Sequence, residues 1–250
     1  MPKLSKKKRL ILAYPNLKWQ KFDIQTTWNL NPYVLCLLGK MVEDEVDVKI
    51  VDAQFYDLSV EEFTQQILDY GADYVGISLL TSDYSQILHI AAKAIKEANP
   101  DIVVIAGGVH VIIEYRQVIE DPNIDYAVRG EGEYVLQNLI KYLNGEAKLV
   151  EEGIVYRKDG EVKIGAHSFV KDLTSLPQPD YNLVKMEDYI KKAARYGPQR
   201  PPENPHVRIS VTRGCPVGCS FCQVEFISGK PVRARDPDDI VDELLYLKKT

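Results

Sequence analysis

The sequence predicts an α/β protein: an open parallel sheet covered on both faces, then a connector, then one further strand–loop–helix unit. Three observations carry this reading. Short apolar runs without alternation, such as residues 102–106, suit strands whose two faces are both covered. Between them lie segments with apolar residues at helical spacing, as in Ile87, Ile90, Ala91, Ala94 and Ile95. Strands alternating with helices in this way argue for a parallel sheet.

Residues 9–14 read as a buried first strand, broken by Pro15-Asn16. A helix begins near Pro32, with Val34, Leu35, Leu38 and Met41 on its inner side. Residues 46–51 form a strand, and a helix over 60–70 is entered through a capping box of Ser59 and Glu62 and closed by Gly71. The third strand is 74–78, followed by the helix carrying Ile87 to Ile95, and the fourth is 102–106. After Gly107-Gly108 a short helix holds Tyr115 and Ile119, 125–128 is a last strand, and a helix over 133–143 stops at Asn144-Gly145. Ligands of such sheets sit beyond the carboxyl ends of the strands, which directs attention to Tyr14, Ser78, Gly107 and Arg129.

Two further runs, 154–157 and 161–164, flank Asp159-Gly160, a hairpin signal. Residues 168–205 are irregular, with Pro177, Pro179, Pro198, Pro201, Pro202 and Pro205, and read as a domain connection. A new strand over 207–211 then delivers a cysteine-rich loop. Asp236 caps a final helix with Pro237 in its first position and Ile240, Val241, Leu244 and Leu245 as its apolar face. The expected division is a sheet domain at 1–148, a hairpin and connector at 149–205, and a last unit at 206–250.

At 250 residues the chain can bury a sizeable core, and 45% hydrophobic with 27% charged residues is ordinary for a soluble globular protein. A net charge of −5 gives no general case for nucleic acid or membrane partners, and the 15 tyrosines form no stacking platform for nucleic acid. The short basic cluster at 3–9 leads straight into a strand and reads as a solvated terminus. No signal peptide and no long apolar run is seen, so a cytoplasmic location is expected, where thiols stay reduced and can ligate metal.

Three of the four cysteines fall inside eight residues: Cys215, Cys219 and Cys222, spaced C-x3-C-x2-C, with Gly214 and Gly218 able to bend the backbone. Three thiolates suit an iron–sulfur cubane with one iron left open. Zinc would need a fourth ligand, and the nearest candidate is His206, nine residues upstream of Cys215 and not at finger spacing. A disulfide framework suits small secreted domains rather than this chain. Cys36 reads as a buried small hydrophobe. The stretch resembles the cluster loop of radical S-adenosylmethionine (SAM) enzymes. The resemblance implies a 4Fe-4S cluster on Cys215, Cys219 and Cys222, SAM on the open iron, and Phe221 in the aromatic position before the third cysteine.

The sheet half carries a second motif. Ser78-Leu79-Leu80 is followed, after 26 intervening residues, by Gly107-Gly108, and small residues of this kind let backbone approach a nucleotide tail closely. With Val109-His110 and Arg129-Gly130-Glu131-Gly132-Glu133, this resembles the cobalamin-binding Rossmann-like domain of a radical SAM subgroup. The implied cobalamin contacts are Tyr14, Asn16, Ser78, Leu80, Thr81, Gly107, Gly108, His110, Arg129, Gly130 and Glu131. Cobalamin domains of the mutase type carry D-x-H-x-x-G upstream, with the histidine on cobalt. Here Asn31, Tyr33 and Cys36 stand at those positions, so base-off, His-off cobalamin is implied, with no protein histidine ligand. His89 reads as a packed or surface histidine. Asp52 ends the second strand like a ribose-binding acid, but no G-x-G-x-x-G follows the first strand, so a dinucleotide site is not expected.

Taken together, the resemblance implies a cobalamin-binding domain followed by the first βα unit of a radical SAM partial TIM barrel. The implied chemistry is reductive cleavage of SAM to a 5′-deoxyadenosyl radical, used for methyl transfer to an unactivated carbon of a small-molecule or peptide substrate. A reducing donor such as flavodoxin or ferredoxin would supply electrons. Whole βα barrels need on the order of 150 further residues, so the chain is expected to be a fragment that binds cofactors without turning over. The alternatives are a non-catalytic corrinoid carrier or sensor, and a radical SAM enzyme whose sheet domain is a cobalamin-free docking module. The methylthio-transferring branch is disfavoured, because Cys36 alone cannot make a second three-cysteine cluster.

Overall fold

Seven strands form one sheet in the order β2-β1-β3-β4-β5-β6-β7 in this computed structural model, which describes residues 7–21, 30–193 and 206–249. Residues 3–6 of the basic cluster and Pro198, Pro201, Pro202 and Pro205 of the expected connector lie outside the described residues. In chain order the elements are β1 (Lys8–Tyr14), α1 (Tyr33–Val42), β2 (Val46–Asp52), α2 (Ala53–Tyr56), α3 (Val60–Tyr70), β3 (Tyr74–Ser78) and α4 (Ser85–Ala98). They continue as β4 (Val103–Gly107), α5 (Val109–Glu120), β5 (Tyr126–Val128), α6 (Gly132–Leu143), β6 (Ile154–Lys158), β7 (Glu161–Ile164) and α7 (Met186–Ala193). The last are β8 (Thr212–Arg213), α8 (Val224–Ser228), β9 (Arg233–Ala234) and α9 (Pro237–Lys249).

β1 to β5 are parallel, and alternate residues of each strand serve opposite cores. Ile11, Val75, Ile77, Val104 and Ala106 pack under α3, α4 and α5. Leu10, Leu12, Ile105 and Val128 pack under α1 and α6. A third cluster, Cys36, Tyr181, Met186 and Leu247, joins the outside of α1 to the connector and α9. Local signals decide the helix ends: the Ser59–Glu62 capping box is formed in both directions, and Gly71 closes α3 at φ 68°. Among the described residues, no helix is long and apolar enough to cross a membrane.

Several expectations change. The sheet is mostly rather than wholly parallel, because the 154–164 hairpin adds to its edge, β6 running antiparallel to β5. The turn holds as read, with Asp159 and Gly160 both at positive φ (52° and 80°). Val34 faces outward at a cavity rim rather than into the core. The helix after Gly108 starts at once and runs to Glu120, with a kink at Glu114 (φ −109°, ψ 26°) that interrupts its apolar period. The connector holds α7 and two 3-10 turns, Leu173–Ser175 and Tyr181–Leu183.

No strand forms over 207–211. Val207 and Ile209 pack on the third cluster, while the Asn31 side chain takes both backbone groups of Arg208, accepting from its N–H at 2.8 Å and donating to its carbonyl at 2.9 Å. Ladder pairing is confined to Thr212 and Arg213 against Arg233 and Ala234. The apolar face read on the last helix is likewise turned outward: Val241, Leu244 and Leu245 are exposed, and Glu243 and Leu247 face in. Glu243 accepts from the Tyr181 hydroxyl at 2.5 Å and pairs with Arg235, and this buried pairing sets the rotation of α9.

Candidate functional site

The carboxyl ends of β3, β4 and β5 open into a cavity of about 230 Å³. Leu12, Gly76 and Ile105 form its floor on one face of the sheet, and α1 and α6 wall it with Leu35, Leu38 and Leu136. A Cβ on Gly76 would stand 2.9 Å from Leu12 Cδ2, so this glycine is what opens the slot between sheet and helices. The far side is closed by Ser210, Arg213, Ile227 and Ser228 from the C-terminal segment. An apolar hollow with a few converging polar groups has the make-up of a small-molecule or cofactor site.

Ser78 and Gly107 are register partners across β3 and β4, so residues far apart in sequence meet at the cavity mouth. The two glycines do different work. Gly108 has φ +92°, and a Cβ there would meet Leu79 O at 2.5 Å, Leu79 N at 2.8 Å and Ser78 Oγ at 2.9 Å. It is needed for the exit of β3 to cross close beneath α5. At Gly107 the nearest atom to an added Cβ is Ile77 O at 4.0 Å, so its missing side chain leaves open space at the cavity.

Of the other residues expected at the ligand, Leu80, Gly130 and Glu131 line this cavity. Tyr14, Leu80 and Thr81 line a second, smaller hollow of about 40 Å³ at the ends of β1, β2 and β3. Burial raises the Tyr14 phenol well above its ordinary pKa, so it stays protonated. Asn16, Thr81, His110 and Arg129 do not reach the larger cavity. Asn16 is buried, accepting from Lys18 N–H and donating to Asp57 Oδ1 and Leu58 O, each at 3.0 Å. His110 is packed in the first turn of α5 with Nδ1 3.2 Å from Ser82 Oγ, and burial followed by the neighbouring His89 lowers its pKa. Arg129 donates to Gly165 O at 3.0 Å and lies over the Tyr115 ring. His89 pairs with Asp121 at 2.7 Å.

The acidic residues at the strand ends hold later parts of the chain. Glu131 takes a two-pronged bond from Arg233 at 2.7 and 2.9 Å and accepts from Val170 N–H at 2.6 Å. Glu133 accepts from Arg213 at 2.5 Å. Burial works against the charge of Arg213, and Glu133 with Glu131 more than restores it, leaving its pKa raised. Asp52 accepts from Phe55 N–H at 2.8 Å and from the Tyr189 hydroxyl at 3.0 Å, so the acid that resembled a ribose ligand docks α7 instead. Glu133 was quoted in the sequence only as the end of the Arg129–Glu133 motif, and neither Arg213 nor Arg233 was given a role there. Their only signal was charge set among apolar or glycine neighbours.

The positions that correspond to D-x-H-x-x-G also face the later chain. Asn31 holds Arg208, Tyr33 lines the cavity with its hydroxyl 3.5 Å from Arg235 Nη1, and the Cys36 carbonyl accepts from Asp180 N–H at 3.3 Å. Burial pushes the Cys36 thiol up to about 12. Among the described residues no histidine lines the cavity.

The cysteine loop leaves β8 through Gly214 (φ +97°), where a Cβ would collide with the Pro231 carbonyl, and turns again at Gly218 (φ +68°). Cys215 N–H donates to Gly229 O at 3.0 Å, closing the loop base. Cys215 is half-buried and Cys219 and Cys222 are exposed, all three as free thiols, and Phe221 is 89% exposed. The donor set suits an iron–sulfur centre. The side chains are not drawn together: among the described residues no group of three or more His, Cys, Asp or Glu is close enough to hold a metal ion.

Residues 29–140 match the B12 binding domain family. The chain is 33% identical over 253 residues to an anaerobic magnesium-protoporphyrin IX monomethyl ester cyclase of Rubrivivax gelatinosus, covering 96% of this chain and 43% of that protein. It is 30% identical over 219 residues to the uncharacterized methyltransferase PH0819 of Pyrococcus horikoshii, covering 86% of this chain and 45% of that protein. The chain therefore spans less than half the length of these relatives. Its fold is similar to that of the cobalamin-dependent S-adenosylmethionine radical enzyme OxsB (TM-score 0.76, 20% identity, 97% of this chain and 32% of that one). It is also similar to the radical S-adenosylmethionine methyltransferase TsrM of Kitasatospora setae (TM-score 0.69, 19% identity, 97% of this chain and 46% of that one).

Proposed function

We propose that the chain is a radical SAM protein that carries a B12 binding domain, and that it holds cobalamin in the cavity beyond β3, β4 and β5. The observation that carries this is the meeting of Ser78 with Gly107 and Gly108 at the mouth of a glycine-opened slot. Gly107 leaves room for a ligand to lie against backbone, Ser78 offers a hydroxyl, and Leu35, Leu38, Leu80 and Leu136 exclude water. Tyr33 faces the cavity where other cobalamin domains place a histidine, so the ligand is held His-off.

Cys215, Cys219 and Cys222 are the donors for a 4Fe-4S cluster, and Phe221 is the residue set beside SAM. When bound, these cofactors would supply reductive cleavage of SAM and methyl transfer to an unactivated carbon, with electrons from a flavodoxin- or ferredoxin-type donor in the cytoplasm. The substrate is a small molecule or peptide. A second reading, a corrinoid carrier without a cluster, draws on the thiols not being gathered.

The test is anaerobic titration of the chain with cobalamin followed by electron paramagnetic resonance of the cob(II)alamin form. Saturable binding without nitrogen superhyperfine splitting is expected. Splitting would place a nitrogen ligand on cobalt and contradict the base-off, His-off reading, and absence of binding would remove the cobalamin assignment.

A further inference from the structure

Each strand that frames the cysteine loop carries an arginine held by buried acids, and the two arginines share Glu131. β8 contributes Arg213 and β9 contributes Arg233, and every cysteine of the loop lies between them. Arg213 reaches Glu133 at 2.5 Å and Glu131 at 3.5 Å, and Arg233 grips Glu131 at 2.7 Å. The side chains of Arg213, Arg233, Glu131 and Glu133 are only 14%, 11%, 6% and 3% exposed. Arg233 also donates to the Val170 carbonyl and, at 2.5 Å, to the Ser228 carbonyl at the end of α8. Glu131, Glu133, Arg213 and Ser228 all line the cavity, so a ligand there touches both partners of the junction. The network is also incomplete, since Glu133 Oε2 is buried without a hydrogen-bond partner among the described residues. A buried ionic network that is short of a partner is weakly held by itself.

We propose that this junction of two acids and two arginines couples the cavity to the cysteine loop, so that filling the cavity fixes the loop in place. The proposal rests on the cobalamin reading of the cavity. Glu131, Glu133, Arg213 and Arg233 are then positioning residues. A ligand that contacts both sides favours the docked arrangement, and the linkage is reciprocal: whatever holds the loop down tightens the ligand.

The experiment uses the full chain, reduced and free of iron, with cyanocobalamin as probe. Iodoacetamide alkylation of each cysteine is followed by mass spectrometry, with and without probe at saturation for each protein. Cys36, buried in the third cluster, reports on global unfolding. In the unaltered chain, cyanocobalamin slows alkylation of Cys215, Cys219 and Cys222 by about fivefold or more, the lower end of ordinary coupling. In the Glu131→Gln, Glu133→Gln double variant the protection falls below about twofold, and the probe binds more weakly by the same factor that coupling loses. Should that variant expose Cys36, Arg233→Gln alone makes the same comparison. Binding without protection in the unaltered chain overturns the coupling and leaves the cobalamin reading intact. Protection that survives in the variants also overturns it, since it would then be simple shielding by the ligand. Failure of the unaltered chain to bind the probe removes the cobalamin reading itself, and the coupling with it.

Discussion

Gly107 and Gly108 are neighbours with separable duties, and substitution tells them apart. Gly108→Ala adds a Cβ to a left-handed backbone against Leu79 and Ser78, and should cost ~2 kcal/mol or more, read as a lower melting temperature. Gly107→Ala meets nothing closer than 4.0 Å, so stability should hold while cobalamin affinity drops, read in a spectroscopic titration. His110 gives a pH signature. Its folded pKa is lowered by burial, so as pH falls below about 6.5 the unfolded chain takes the proton first and stability is lost. The melting temperature should therefore fall between about pH 7 and pH 5, and His110→Gln should flatten part of that fall. Cobalamin affinity should not follow His110, which does not line the cavity.

At the scale of elements, what the sequence made legible was whatever a few neighbouring residues encode. The α3 capping box is an instance, and Ser59→Ala should lower stability by about 1 kcal/mol in a denaturant melt. Gly214 and Gly218 bend the cysteine loop as their positions implied. What could not be read depended on distant partners. The outward face of α9 follows from Glu243 being claimed by Tyr181, 62 residues away in sequence, which turns the leucines to the surface. The short reach of β8 follows from Asn31 taking the backbone of Arg208 across 177 residues. Gly130 and Glu131 of the motif line the cavity, but the arginine that grips the acid lies 102 residues further on.

Across the whole molecule, the carboxyl edge of the sheet is both a ligand mouth and a docking edge. Tyr189 on Asp52, Arg233 on Glu131, Arg213 on Glu133 and Arg208 on Asn31 fasten the later chain over the strand ends, and the larger cavity is what remains between them. Tyr181→Phe, which removes a hydrogen bond to a buried carboxylate, should cost about 2 kcal/mol and loosen α9, seen as faster amide exchange there than in β1 to β4.

The central claim is that one chain offers a cobalamin cavity and a three-thiolate cluster loop. The most direct measurement is the iron and cobalt content of the full chain after anaerobic reconstitution with iron, sulfide and hydroxocobalamin, followed by desalting. The account predicts about four irons and one cobalt per chain, with the iron lost in a Cys215→Ala, Cys219→Ala, Cys222→Ala variant that keeps its cobalt. Iron without cobalt would contradict the cavity assignment, and cobalt without iron would leave a corrinoid carrier.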